Sequence, residues 1–354
     1  MNRDLKNFIK ISRYAGERFD LIQAAGGNTS VKLDNGEMLI KASGFLLSEI
    51  DQNNGYARVI TKDIISILES KEILNEKDKK KREIMTSKLI ENAVIGDFVR
   101  PSIETLLHSL LKKYTLHTHP ILVIKIAIQK KWKEIFQKIF DNNILCVEYD
   151  TPGIELAISL NKKFDNFKIP EIIFLQNHGL IVSSSNADEL IKLNDFVINR
   201  IENFLKLDFS KYRNTNFLSS IFNSVFNLNL SAYFSEPISV IYTNFEEKSI
   251  DLPFTFPDSF VYCGYEIINV NQSSIKSKIK IYYDKYNEPP KVLKYNSYFY
   301  IFSQSIKKSK EIEEVLMCHF LSIDNLDFND INSLSLNEFK YLGNWDAEKL
   351  RQKM

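Results

Sequence analysis

The segment "YTLHTHP", residues 114–120, places two histidines one position apart in an apolar run that a proline ends. A short strand stopped at Pro120 is the structure such a run predicts. Strand side chains alternate between faces, so His117 and His119 are expected to project side by side, with Thr118 turned away. The chain has five histidines, and His108, His117 and His119 fall close together. His178 comes after the apolar run "EIIFLQ" in "QNHGL", where Gly179 is expected to free the backbone to present an imidazole at a strand end. Three imidazoles with a fourth position open or filled by a carboxylate make the ligand set of a catalytic zinc site. Taken singly, each histidine is equally well explained as a packed, hydrogen-bonded residue.

A carboxylate candidate stands upstream. The spacing of Ile103, Leu106, Leu107, Leu110 and Leu111 predicts a helix over 102–113, with Ser102 as its N-cap. Glu104 falls in its first turn. A carboxylate there ordinarily supports the helix dipole, and it can also face a metal from the helix start, with Ile103 and Leu107 as apolar cover. His108 lies four residues on, on the same helix face, and reads as a supporting residue. "GGNTS" (26–30) and "KASG" (41–44) are Gly/Asn/Ser clusters of the kind that converge backbone N–H groups on an anion, although such clusters are often simply turns. Asn28, Ser43 and Gly44 are the candidates there, and Ser102 at a helix start adds a further donor.

Around these motifs the pattern is α/β. Residues 4–20 have helical spacing, and Thr29–Leu33 and Glu37–Lys41 flank Asn35-Gly36 as a hairpin. Helices are expected over 121–129, 132–140 and 186–206, with buried strands in "NILCVEY" and "EIIFLQN". The charge run at 71–83 reads as a solvated helix end or loop. Beyond about 207 the texture becomes rich in Asn and Ser, and "PISVIYT", "SFVYC", "KIKIYYD" and "SYFYIFS" read as strands before a helical tail. This gives an N-terminal α/β domain over 1–207 and a smaller mixed α+β domain over 208–354.

Composition narrows the function. With 46 basic and 45 acidic residues there is no electrostatic case for nucleic acid or an anionic membrane. Three scattered cysteines without CxxC give no disulfide framework or cysteine zinc site. The N-terminus has no long apolar segment, so a cytoplasmic protein is expected.

In this order, "GGNTS", "KASG", "PSIET" with His108, "HTHP" and "NHGL" resemble the class II aldolase/adducin family over residues 1–205. The resemblance implies a three-layer α/β/α fold with a mixed central sheet. It also implies a divalent metal, usually zinc with manganese, cobalt or iron as alternatives, on His117, His119 and His178. Glu104 becomes the acid/base, and Asn28, Ser43, Gly44 and Ser102 the site of a substrate phosphate. The implied reaction is reversible aldol cleavage of a sugar or sugar phosphate through a metal-stabilised enediolate, by a homotetramer. Epimerisation, dehydration or decarboxylation on the same scaffold, or an adducin-like interaction module without chemistry, are the alternatives. The later segments "DLPFTFPDSFVYCG", "PPKVLKYNSYFYIF" and "YLGNWDAEKLRQ" resemble the region C-terminal to the aldolase module in bacterial fusions with a short-chain dehydrogenase. No dinucleotide-binding glycine motif is present, so no NAD is expected. Ile103 departs from the family's second serine before the glutamate.

Overall fold

The computed structural model describes residues 2–141, 144–164, 169–245 and 254–343. The chain divides into two compact units, Met1–Phe209 and Ser210–Met354.

In the first unit, α1 (Arg3–Gly16) precedes a hairpin of β1 (Asn28–Lys32) and β2 (Glu37–Lys41), then β3 (Tyr56–Ile60). Gly36 has φ +87° in the connecting turn, a backbone region open to glycine at little cost. The charged stretch forms two helices after α2 (Thr61–Ile67): α3 (Lys71–Asn75) and α4 (Lys79–Asn92), the latter capped by the Asp78 carboxylate. Next come α5 (Thr105–Ser109), β4 (Tyr114–Thr118), α6 (Ile121–Ala127), α7 (Trp132–Phe140), β5 (Leu145–Val147) and α8 (Ile154–Lys163). A second hairpin, β6 (Ile172–Leu175) and β7 (Gly179–Ser184), leads into α9 (Ala187–Leu205).

Among the described residues the strands form one seven-stranded sheet of order β3-β2-β1-β4-β7-β6-β5. Its pairs are antiparallel except β5 with β6, so the sheet is mixed. Alternation sorts side chains to two faces. Val31, Leu116, Leu180 and Val182 pack with Phe8 and Ile11 of α1, Val123 and Ile126 of α6, and Val197 of α9. On the other face, Met38, Ile40 and Val59 pack with Leu106 of α5, and Ile173 and Ile181 with Leu107 of α5 and Leu156 of α8. The result is three layers, α/β/α. By the same alternation Asn28, Ser30, Lys32 and His117 belong to the α5 face, and Asn28 is paired directly with His117 across β1 and β4.

The second unit runs α10 (Ser210–Phe226), β8 (Ser231–Ser235), α11 (Glu236–Ile241), α12 (Pro257–Cys263), β9 (Ile268–Val270), α13 (Ile275–Tyr286), β10 (Val292–Tyr295), β11 (Tyr298–Ser303), α14 (Ile306–Ile323) and α15 (Leu336–Gly343). Its described strands form a four-stranded mixed sheet of order β8-β11-β10-β9 over a separate core that includes Phe254, Phe260, Phe299, Leu316 and Phe320. Of the four strands expected here, only "SYFYIFS" is one. "PISVIYT", "SFVYC" and "KIKIYYD" are occupied by the helices α11, α12 and α13. In α13 the buried positions are Ile275, Ile279 and Tyr282, a helical stripe, while Ile281 is 64% exposed; an alternating strand would have treated 279 and 281 alike. Pro257 opens α12 at the first helical turn, where its missing N–H costs nothing. The Ser235 hydroxyl caps α11. Part of "DLPFTFPDSFVYCG" and most of "YLGNWDAEKLRQ" lie outside the described residues.

Candidate metal centre

β4 ends at Thr118, one residue before His119, so the second histidine is carried by the loop rather than the strand. Its backbone N–H is fixed instead by the Leu21 carbonyl at 3.0 Å. The segment carrying Leu21 is braced by the buried Arg18, which grips the Asp20 carboxylate with two N–H groups at 3.1 and 2.6 Å. His178 sits in the turn between β6 and β7. There Asn177, not Gly179, takes the left-handed conformation, at φ +53°. Gly179 is required for space: a Cβ on it would lie 2.2 Å from the Thr118 carbonyl oxygen and 3.1 Å from the His119 ring. A Cβ on Gly26 would approach the other side of the same ring at 3.0 Å.

The three imidazoles converge. His117 Nε2 lies 3.1 Å from His119 Nε2 and 3.2 Å from His178 Nε2. His117 Nδ1 donates to the Leu180 carbonyl at 3.0 Å, which leaves its Nε2 lone pair facing the cluster. Burial pushes the His178 pKa down to about 3 and lowers those of His117 and His119 as well, so all three rings are neutral at pH 7. Neutral imidazole is the form that binds metal. Ligands at zinc distances of about 2.0–2.1 Å in a tetrahedron stand about 3.3 Å apart, close to the observed separations. The donor set fits a divalent ion.

Glu104 is the N-cap residue of α5, which begins at Thr105, so the helix starts later than its apolar spacing suggests. The Ser102 hydroxyl accepts the Glu104 backbone N–H at 3.2 Å rather than capping the helix. Asn28 donates its amide to Glu104 Oε2 and to Ser102 Oγ, each at 2.7 Å. The other carboxylate oxygen, Oε1, stands 3.5 Å from Nε2 of both His117 and His178. Glu104 is 6% exposed, but Ile103 is 46% exposed. Lying before the helix, Ile103 faces outward and gives the carboxylate no cover. His108 bonds Ser30 instead of joining the cluster.

Ser43 and Gly44 occupy an exposed turn next to Ser102. Ser43 N–H donates to the Arg100 carbonyl at 2.9 Å, and Ser102 N–H to the Lys41 carbonyl at 3.2 Å. Gly44 has φ +84° and open space around it. Lys41, in the same "KASG" stretch, was not among the expected site residues. Its side chain is buried, donates to the Ala25 carbonyl at 2.9 Å, feels the Glu104 carboxylate and disfavours protonation of His119. Burial lowers its pKa, and Glu104 opposes that shift. Nothing in the local sequence "EMLIK" marks this lysine as buried.

Residues 6–202 match the family described as the Class II Aldolase and Adducin N-terminal domain. The chain belongs to the class II aldolase/adducin family. A curated relative from Bacillus subtilis (strain 168), named "Uncharacterized oxidoreductase YuxG", is 27% identical over 189 residues; the match spans 51% of this chain and 26% of the relative. A solved N-terminal class II aldolase domain of a conserved protein from Thermoplasma acidophilum is 25% identical with a TM-score of 0.50, covering 58% of this chain and 95% of that one. L-fuculose-1-phosphate aldolase from Thermus thermophilus aligns with 15% identity and a TM-score of 0.39, over 58% of this chain and 94% of that one. No helix among the described residues is long and apolar enough to cross a membrane.

Proposed function

We propose that the chain is a metal-dependent lyase that catalyses reversible aldol cleavage of a ketose or ketose phosphate. The observation that carries this reading is the position of Glu104, with one carboxylate oxygen on Asn28 and the other beside two imidazoles of the triad. His117, His119 and His178 would hold a divalent ion, with zinc the first choice from the donor set. When bound, such an ion supplies Lewis acidity toward a carbonyl and its neighbouring hydroxyl.

Glu104 carries the proton. Its Oε1 stands 3.5 Å from Nε2 of His117 and His178, where it can deliver a proton to, or remove one from, the carbon that gains charge as the carbon–carbon bond breaks. Asn28 fixes the orientation of that carboxylate. Ser43, Gly44 and Ser102, brought side by side by the backbone bonds of 41–44 to 100–102, offer hydroxyl and amide donors for a substrate anion. The protein acts in the cytoplasm as a homo-oligomer, with a tetramer as the family's form.

The test is a screen of ketoses and ketose phosphates for release of dihydroxyacetone phosphate or lactaldehyde by metal-loaded protein. Glu104→Gln should bind metal and lose about 10²–10⁴-fold in cleavage rate. Full cleavage by Glu104→Gln removes the assigned role.

A further inference from the structure

Strand β1 carries polar side chains at 28, 30 and 32, on the face where a sheet of this kind carries apolar ones, and all three reach toward α5. Asn28 bonds Glu104 at the helix start. Ser30 Oγ lies 2.8 Å from Nδ1 of His108 in the last turn. The Lys32 ammonium donates to the carbonyl of Leu111, just past the helix end. The spacings are close: two strand residues advance about 6.6 Å, and the helical steps of four residues (104 to 108) and three (108 to 111) rise about 6 and 4.5 Å. Every second residue of β1 therefore meets α5 about one turn further along.

The middle rung is fully internal. Ser30 is 1% exposed and His108 0%. Burial pushes the His108 pKa down to about 3, so it is neutral and contributes no charge to the site. Its backbone N–H donates to the Glu104 carbonyl at 3.1 Å, which places it one turn below the carboxylate. An apolar pair here would bury as much surface with less desolvation. What a hydrogen bond adds is direction: it fixes how far α5 is turned about its axis, and hence where its N-cap side chain points.

We infer that the Ser30–His108 hydrogen bond is a positioning device that sets the rotation of α5 and so holds Glu104 against the histidine triad. Neither residue touches substrate or metal. The inference rests on the proposed metal site.

The test is Co²⁺ titration of the full chain, monitored by visible absorption, for the wild type and for Ser30→Ala, His108→Leu, His108→Asn and Glu104→Gln. Ser30→Ala and His108→Leu should weaken Co²⁺ binding about tenfold or more and move the absorption bands toward those of Glu104→Gln. His108→Asn, whose amide reaches the Nδ1 position, should keep both near wild type. Ser30→Ala removes only a hydroxyl, so it carries the test if His108→Leu does not fold. Wild-type affinity and spectrum in folded Ser30→Ala and His108→Leu, with Glu104→Gln altered, overturns the inference. So does equal loss in His108→Asn and His108→Leu, which assigns the effect to packing. A wild-type protein that does not bind Co²⁺ overturns the metal-site reading, and this inference with it.

Discussion

Asn28 and Glu104 are joined by a 2.7 Å hydrogen bond between side chains 76 residues apart, both buried. The bond orients one carboxylate oxygen and leaves the other toward His117 and His178. Removing it frees the carboxylate to turn. A hydrogen bond to a charged group contributes about 1.5–3 kcal/mol, so Asn28→Ala should lower kcat about 10- to 100-fold on the substrate found by the screen. Measured at saturating metal, so that any loss of affinity is masked, the fall in kcat should persist. An unchanged kcat would contradict an orienting role for Asn28.

Metal binding should stabilise the first unit by mass action. At a free Zn²⁺ concentration about 100 times the Kd the gain is about 2.7 kcal/mol, visible as a rise in Tm on adding metal to chelator-treated protein. His117→Ala, His119→Ala and His178→Ala should each remove most of that rise. A rise that persists in all three variants places the metal elsewhere.

Gly179→Ala tests the space between β7 and the His119 ring. The added Cβ meets the Thr118 carbonyl oxygen at 2.2 Å, so backbone must move. Forced shifts of this kind cost about 1–3 kcal/mol, measurable by urea denaturation. Metal affinity should fall with stability, because the same Cβ presses on the His119 imidazole. A variant with wild-type stability and affinity would show that β4 and β7 can separate freely.

His319 lies in the core of the second unit, 1% exposed, and burial pushes its pKa down to about 4. Unfolded histidine titrates near 6.5. Between these values the unfolded chain binds a proton that the folded chain refuses, so stability falls as pH drops from about 6.5 to about 4, by about 1.4 kcal/mol per unit. Above about 6.5 the effect vanishes. In His319→Leu the loss of unfolding free energy between pH 7 and pH 5 should shrink by about 2 kcal/mol. An identical pH dependence in wild type and variant would show that His319 is not the group responsible.

The residues of the site were legible where chemistry demands particular side chains at particular spacings. His117 and His119 are separated by two, Asn35-Gly36 marks the hairpin, and Leu106 and Leu107 fall in α5, a helix of Thr105–Ser109 where 102–113 was expected. Details decided by tertiary packing were not legible. The strand stops at Thr118 because Leu21 captures the N–H of His119. The helix starts at Thr105, after a segment in which Ser102 Oγ takes the Glu104 N–H and Asn28 bonds both Ser102 and Glu104. Lys41 was not legible because nothing local distinguishes a buried lysine from a solvated one. In the second unit, aromatic and β-branched residues argue for strands. In α13 the burial of Ile275, Ile279 and Tyr282 shows the longer period winning instead.

The alternation along β1 also bears on how this gene can change length. Deleting one codon between Thr29 and Val31 would reverse the facing of one end of the strand, sending either Asn28 or Lys32 to the opposite side of the sheet. No single compensating substitution restores both rungs. The Asp34–Gly36 turn lies beyond the alternating positions, with open space around Gly36. Added codons there lie outside both strands and leave the facing of 28, 30 and 32 unchanged, at the cost of the bond from Thr61 N–H to the Gly36 carbonyl.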